Sequence, residues 1–568
     1  MVTCTTCMFM LYGYDFGITA WSVLLIKTRG ADEISDIYVY LAMHGEALGM
    51  LVACAPLGGL IEGLIGSKVL PIGRRKEASH KNGRKSEIKF VNLVAIVGAS
   101  LEGLAGIKEW DTIVYVAVFV LGRFMYGLGL GLSLRCGPMY LRETVAEAYR
   151  NAAMVSVKLS MVVAVIISYI LGGLLPNPML GYFGVYIMAG ISLMCLHVVP
   201  ESPMFMLLHP NKFPKAQVLD ALKFTNPAAT EDDVADLQKE ILTEVLSYTP
   251  GHPSFGKGHD LAADGPKGGR VSGVSVDSDS VPATGLLDIP PPRCDSDGGA
   301  GGGGEKENSS NREDRSHEAD SGYGYLDNSQ KRGAIAMSVK NLPSVTKAPG
   351  MLAALVLTAG LMVAEQACGM TAILYYGGVF LADIDLISVD WGLAVLGVLQ
   401  LVVAVMMMYA LDPVGRKPLL FFGLGGLLVS SLLLVIGGFA GLTGAGRWWG
   451  LVGLYAFTAS YSVSLGALVW VLVSEVFPTC HRAQAISIVS TAHFGTSAVF
   501  VILLPLVLDI GGYAAMFTCF FLVVVVANVF AHRFMVETRG LTATQIQSAL
   551  TAKAGFATHT EAPPPVYV

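Results

Sequence analysis

Of the 568 residues, 53% are hydrophobic and only 14% are charged, with a formal net charge of −6, whereas about 25% of an average soluble domain is charged. A soluble chain this long would divide into several cores, each needing a charged shell, so an ordinary cytosolic enzyme is excluded. Most of the acids sit in one hydrophilic block, and nothing in the charge balance points to nucleic acid.

Apolar runs follow one another instead, each near the roughly 20 residues needed to cross about 30 Å of hydrocarbon. In chain order the predicted spans are 3–26, 40–66, 88–107, 112–134, 151–175, 179–199, 351–381, 391–411, 418–440, 448–473, 484–508 and 512–534. The first runs on through Gly13 and Asp15 to Ile26, too long for the apolar part of a cleavable signal, and with so little chain before it Met1 is not taken as the natural start. Pro176-Asn177-Pro178 marks the turn between the fifth and sixth. The expected divisions are a six-helix bundle over 1–199, a hydrophilic loop over 200–349, a second bundle over 350–536 and a tail over 537–568.

Within the loop, Thr230 and Asp233 resemble a capping box ahead of an apolar face of Val234, Leu237, Ile241 and Val245, the pattern of a short amphipathic surface helix. The stretch from about 250 to 333, with its Ser/Asp tract and the Gly301–Gly304 run, has the composition of a disordered linker. Lys and Arg concentrate after spans two, four, eight and ten, including Arg74, Arg75, Arg84, Lys85, Arg142, Arg150, Arg416, Lys417 and Arg482, while the opposite loops carry Asp32, Glu33, Asp36, Asp383, Asp385 and Asp390. By the positive-inside rule both termini and the long loop face the cytosol. Most of the nine cysteines lie in apolar runs and read as small hydrophobes. Cys4 and Cys7 form a C-x-x-C with no second pair or His beside it, so no metal or cofactor is expected.

An internal repeat needs no alignment. Gly83-Arg84-Lys85 recurs 332 residues on as Gly415-Arg416-Lys417, Glu143 recurs at the same offset as Glu475, and Arg150 as Arg482. Glu201-Ser202 corresponds loosely to Glu537-Thr538, at an offset of 336. The coincidence implies two six-helix halves related by an axis along the membrane normal.

Beyond these patterns, several motifs stand in a fixed order. They are G-Y-D-x-G (Gly13 to Gly17), G-R-x-x-x-G-x-G-x-G with P-x-Y-x-x-E (Gly122 to Gly131, Pro138 to Glu143), P-E-S-P (Pro200 to Pro203) and Q-x-x-G-x-x-x-x-x-Y-Y (Gln366 to Tyr376). The second half adds D-x-x-G-R-K (Asp412 to Lys417), W-x-x-x-S-E-x-F-P-x-x-x-R (Trp470 to Arg482) and E-T-R-G (Glu537 to Gly540). With them the chain resembles the sugar porter branch of the major facilitator superfamily, as a divergent member. The resemblance implies an all-α membrane protein, twelve transmembrane helices in two pseudo-symmetric six-helix bundles, alternating access around a midplane site, and a hexose-like substrate. It implies no catalytic residues and no cofactor, with a sugar-like molecule, a proton and the bilayer as partners, a monomer, and the plasma membrane as the site of action.

Asp15 and Arg123 reach the bilayer centre from opposite ends of their spans, where a charge costs about 2.5–3.5 kcal/mol even on the lenient scale. They read either as a fixed ion pair or as a proton-coupling pair, since the guanidinium favours the carboxylate and desolvation favours the neutral acid. In the family resembled, this Asp marks proton-coupled members and facilitative ones often carry Asn. Arg84, Glu143, Arg150, Arg416, Glu475 and Arg482 match the family's cytosolic network that clamps the halves; the alternative is topogenic positive charge, which would not need matched Glu residues.

Gln366, Gln400 and Trp470 fit the family's sugar site, and Tyr12, Tyr375 and Tyr376 are candidates to line it. Other positions depart from it. Lys158 and Glu365 stand where the family has Gln, Thr371 where it has Asn, and His493-Phe494 where it has Asn-Trp. Lys158 and Glu365 are expected to pair across the cavity; the alternatives are that the lysine snorkels or faces another acid, such as Glu46 or Glu62. Arg135 is a further unusual charge, and His493 reads as a titrating group or a satisfied hydrogen-bonding one. Charged groups there admit a sugar acid or an aminated sugar as well as a hexose. A uniporter and a non-transporting nutrient sensor remain alternatives; a membrane enzyme lacks its motifs, with no H-E-x-x-H and no G-x-S-x-G.

Overall fold

The computed structural model describes residues 2–28, 45–66, 83–105, 112–145, 150–175, 178–209, 212–247, 345–347, 350–441 and 443–554. The first half contains α1 (Val2–Thr28), α2 (Gly45–Gly66), α3 (Arg84–Ala105), α4 (Thr112–Thr144), α5 (Arg150–Leu174) and α6 (Val185–Val198), the last entered through a 3-10 turn over Pro178–Gly184. Three short helices follow, α7 (Pro203–Leu208), α8 (Lys215–Thr225) and α9 (Glu231–Ser247). The second half contains α10 (Met351–Ala367), α11 (Met370–Ile384), α12 (Val389–Val414), α13 (Arg416–Phe439), α14 (Ala445–Val463), α15 (Leu465–Val476) and α16 (Thr479–Phe534), and α17 (Ala543–Ala554) closes the described chain.

Among the described residues nine stretches are long and apolar enough to cross a membrane. The last of them is α16, 56 residues long and broken at Gly512 (φ 61°, ψ −162°), which makes it two spans. With α1 and α3 the count reaches the expected twelve. Exposed Phe422, Val526 and Ile510 on the outside, and buried polar side chains within, are what a lipid-facing bundle requires.

Hydropathy did not reveal three features. The fourth span does not stop at Leu134 but runs on to Thr144, because Arg135 is neutralised by Glu62 at 3.1 Å and does not end the helix. The seventh span breaks between α10 and α11 at Gly369 (φ 98°), where a Cβ would be strained and would also lie 2.4 Å from the Phe520 ring. The tenth breaks between α14 and α15 at Ser464 (φ −99°, ψ −95°). Non-helical backbone at membrane depth is tolerated where it is buried in protein or lines a cavity, and the site described below lies beside both breaks.

The two halves meet along α2 against α16, α5 against α12 and α1 against α11. Small residues let these backbones approach; a Cβ on Gly59 of α2 would lie 2.6 Å from Phe494 of α16. The repeat has a direct structural signature. Arg142 Nη1 donates to Ser474 Oγ at 3.4 Å, and these residues are 332 apart, so a position touches its own equivalent as it must beside a pseudo-twofold axis.

Outside the bundles, Met206, Leu207, Val218, Ala221, Val234 and Ile241 form a small separate core joining α7, α8 and α9. Asp233 accepts from the Thr230 amide at 2.7 Å and its hydroxyl at 3.0 Å, the expected cap of α9. The side chain of Val245, the Pro176-Asn177 turn and the 250–333 segment lie outside the described residues.

Candidate functional site

Two polar sites occupy the middle of the apolar bundle, and both bridge the halves through α1. In the first, Asp15 of α1 and Arg123 of α4 are 2% and 0% exposed and form an ion pair, with Nη1 on Oδ1 at 2.5 Å. Arg123 Nη2 also donates to the Thr19 and Tyr182 hydroxyls, and the guanidinium lies over the rings of Phe119 and Tyr182 at 5.6 and 5.4 Å. From the other half, Tyr375 of α11 donates to Asp15 Oδ2 at 3.1 Å. Tyr375, expected against substrate, is thus a strap between halves. Glu102 of α3 approaches Arg123 Nε at 3.7 Å. Sequence reading passed over it, although a lone acid inside an apolar run was the signal available.

The second site is a cavity that opens at one mouth and is lined by both halves. Tyr12, Lys158, Glu365, Gln366, Thr371, Gln400, Trp470 and His493 all line it, together with Tyr461, which the sequence did not single out. Tyr376 does not; it lines an apolar pocket with Phe517 and Phe520, because the residue after Tyr375 points a third of a turn away.

Within the cavity His493 is the hub. Its Nε2 meets the Tyr12 hydroxyl at 3.1 Å, and its Nδ1 faces both Gln366 Nε2 at 3.2 Å and Glu365 Oε2 at 3.3 Å. One ring nitrogen has a single hydrogen-bonding direction. Either Nδ1–H donates to the carboxylate, or Nδ1 accepts from the amide. Tyr461 donates to Glu365 Oε1 at 3.1 Å, and Thr371 donates to Gln366 Oε1 at 2.6 Å. Trp470 packs edge-on to His493 with centroids 5.5 Å apart. Gln400 is buried, and its Nε2 has no hydrogen-bond partner among the described residues.

The expected Lys158–Glu365 pair is absent. Glu365 faces His493 and Tyr461, while Lys158 Nζ lies 5.6 Å from the centroid of the Tyr461 ring and 3.9 Å from Met161 Sδ. Depth along a span fixes height, not the direction in which a side chain leaves its helix. Neither alternative partner is shown: Glu62 is taken by Arg135, and the side chain of Glu46 lies outside the described residues.

On the side carrying the basic loops, each half builds the same cluster. Arg84 pairs with Glu143 at 3.1 Å, and Glu143 accepts from Ser202 Oγ at 2.6 Å. Arg416 pairs with Glu475 at 2.6 Å, and Glu475 accepts from Thr538 Oγ1 at 2.8 Å. These pairs lie within a half rather than between halves, and the Arg142–Ser474 contact joins the two. Arg482 donates to the Phe477 carbonyl at 3.0 Å; the side chain of Arg150 lies outside the described residues. Glu201 and Glu537 complete the clusters differently. Burial outweighs the backbone N–H groups around Glu201 and raises its pKa, whereas around Glu537 the N–H groups of Arg416, Arg539, Lys417 and Thr538 outweigh burial and lower it.

Comparison with known proteins bears on this arrangement. The family described as "Sugar (and other) transporter" matches residues 1–248 and 304–550. D-xylose-proton symporter-like 1 of Arabidopsis thaliana is 22% identical over 561 residues, covering 95% of this chain and 88% of that protein. Membrane transporter D1 of Leishmania donovani is 30% identical over 213 residues, 35% of this chain and 38% of that protein. Among solved structures, the proton:xylose symporter XylE bound to 6-bromo-6-deoxy-D-glucose is 17% identical with a TM-score of 0.64, covering 97% of this chain and 98% of that one. Partially occluded inward-open XylE from E. coli is 18% identical with a TM-score of 0.63, covering 95% and 98%. At such identities the likeness to these structures is a likeness of fold.

Proposed function

The chain belongs to the sugar (and other) transporter family, and from that membership we propose that it moves a small polyhydroxylated substrate together with a proton by alternating access. It is an integral multi-pass membrane protein and a transporter rather than an enzyme. The observation that carries the coupled reading is the strap from Tyr375 to Asp15. A protonated Asp15 no longer offers the same anionic acceptor to Tyr375 or to Arg123, so proton binding alters a contact between the halves. Thr371, one helical turn before Tyr375 on α11, holds Gln366 in the cavity, which gives substrate and proton a short physical connection. The naming of the Arabidopsis relative as a D-xylose-proton symporter-like protein supports the same reading.

Recognition is assigned to Gln366, Gln400, Trp470, Thr371, Tyr12 and His493, whose donors and acceptors match sugar hydroxyls. Glu365 and Lys158 add charge that admits acidic or aminated sugars. The basic-side clusters, with Arg142–Ser474 between them, serve as the gate, with both termini in the cytosol and a monomer in the plasma membrane. Counterflow in proteoliposomes with pentoses, hexoses, sugar acids and amino sugars tests the substrate class. Exchange of at least one of these is expected, and exchange of none would refute transport and favour a sensor.

A further inference from the structure

Glu102 is fully buried on α3, and neither of its carboxylate oxygens has a hydrogen-bond partner among the described residues. Arg123 Nε, 3.7 Å away, is likewise without a hydrogen bond, while Nη1 and Nη2 are committed to Asp15, Thr19 and Tyr182. The other titratable groups around Glu102 are engaged elsewhere. Tyr14 of α1 donates to the Gly181 carbonyl, Tyr126 of α4 to the Leu11 carbonyl, and Tyr186 of α6 shares a hydrogen bond with Ser100. Tyr182 of the 3-10 turn and Asp15 are themselves partners of Arg123. One guanidinium therefore stands between two acids, closed on one face and open on the other.

A proton that binds Asp15 takes away the nearest anion of Arg123, and a lone guanidinium at mid-membrane is costly. Closing the Nε–Glu102 separation from 3.7 Å to an ordinary charge-assisted hydrogen bond of about 2.8 Å removes that cost. We propose that Glu102 is the alternate counter-anion of Arg123, the carboxylate that takes the guanidinium when Asp15 binds the coupled proton. The balance is simple. One proton from solution forms an O–H bond on Asp15, the Arg123–Asp15 ion pair opens, the Arg123–Glu102 pair closes, and no other group changes protonation; proton release reverses each step. The second half has no such device, since the residues 332 beyond Glu102 and Arg123 are Leu434 and Tyr455.

This inference rests on Asp15 as the coupling group. Its test is the pH dependence of uptake into proteoliposomes, normalised to the maximal rate, for the wild type, Glu102→Gln and Glu102→Asp. A neutral Gln removes the anion that favours a proton on Asp15, so the pH midpoint moves acidic by about one unit or more; Asp keeps the charge and holds the midpoint near that of the wild type. An unchanged midpoint in Glu102→Gln, or an equal shift in both variants, overturns the proposal. A wild type with no pH dependence overturns the coupling reading instead. Should the Gln variant not reach the membrane, infrared spectra of the wild type and Glu102→Asp at neutral pH decide. A protonated-carboxyl band that moves on this substitution makes Glu102 a neutral acid and overturns the proposal, and its absence supports it.

Discussion

The two halves are alike at their basic-side ends and unlike in their middles. Arg84–Glu143–Ser202 and Arg416–Glu475–Thr538 repeat contact for contact. At membrane depth, by contrast, the first half holds Asp15, Arg123 and Glu102, while the second holds Glu365, Gln366 and His493 around the cavity. The shared ends do a task both halves need, fixing where helices terminate and meet across the pseudo-axis. On the proposed function the middles are specialised, one for charge and one for hydrogen-bond recognition, and the contacts Tyr375–Asp15 and Tyr12–His493 link them across the halves.

The largest way to break this comparison is at Arg123. Arg123→Leu leaves Asp15 and Glu102 buried without their cation, and breaking a buried pair costs about 3–5 kcal/mol. The expected result is a large fall in the thermal unfolding midpoint in detergent, or loss of folded protein. Tyr455→Phe at the equivalent position removes only a 3.3 Å hydrogen bond to the Gly392 carbonyl, for which about 0.6 kcal/mol is typical within membranes. Equal losses would show that the middles are not specialised.

Next in size, Glu365→Gln removes an acceptor of His493 and Tyr461 from the cavity. The apparent KM of the transported sugar is expected to rise about tenfold, the equivalent of about 1.4 kcal/mol, while the pH midpoint of uptake stays in place. A shift of that midpoint without a change in KM would place coupling, not recognition, in the second half. A smaller effect tests the likeness of the ends. Glu143→Gln and Glu475→Gln each keep an acceptor oxygen but take the charge from a hydrogen-bonded pair, and each is expected to cost about 1 kcal/mol; a difference between them larger than that would break the equivalence.

The smallest effect concerns Glu201 and Glu537, where the equivalence is already imperfect. Glu537 accepts four backbone N–H bonds at 3.0–3.1 Å, whereas Glu201 accepts from Lys85 at 3.3–3.4 Å and from Ser202 at 3.1 Å. The folded pKa of Glu537 is lowered, so its contribution is present above the ordinary carboxylate range and is lost as pH falls through the folded value. The folded pKa of Glu201 is raised, so its contribution is present at acid pH and is lost as pH rises through the folded value. At neutral pH Glu537→Gln should therefore lower the unfolding midpoint and Glu201→Gln should raise it or leave it unchanged, with the contrast fading in acid. The same sign for both at neutral pH would contradict the asymmetry.

Much of this architecture was legible before the structure. The 332-residue offset located both basic-side clusters, because charge is scarce in this chain and Arg and Glu recurring at one spacing at the ends of spans stand out. Counting from opposite ends brought Asp15 and Arg123 to one depth, and they meet. The expectations that failed are ones that azimuth decides. Lys158 and Glu365 share a depth yet do not pair, Tyr375 faces Asp15 rather than the cavity, and Tyr376 faces an apolar pocket. The breaks at Gly369 and Ser464 left no trace in hydropathy, since glycine and serine are common in spans that remain helical.

The central claim is that Asp15 in the first half couples the movement of a proton to transport through a cavity that both halves line and whose polar groups come largely from the second. Its most direct measurement is substrate accumulation in proteoliposomes under an imposed inward proton gradient, for the wild type and Asp15→Asn. The wild type should concentrate substrate above equilibrium, and Asp15→Asn should only equilibrate it while still exchanging. Equal accumulation by both would contradict the account.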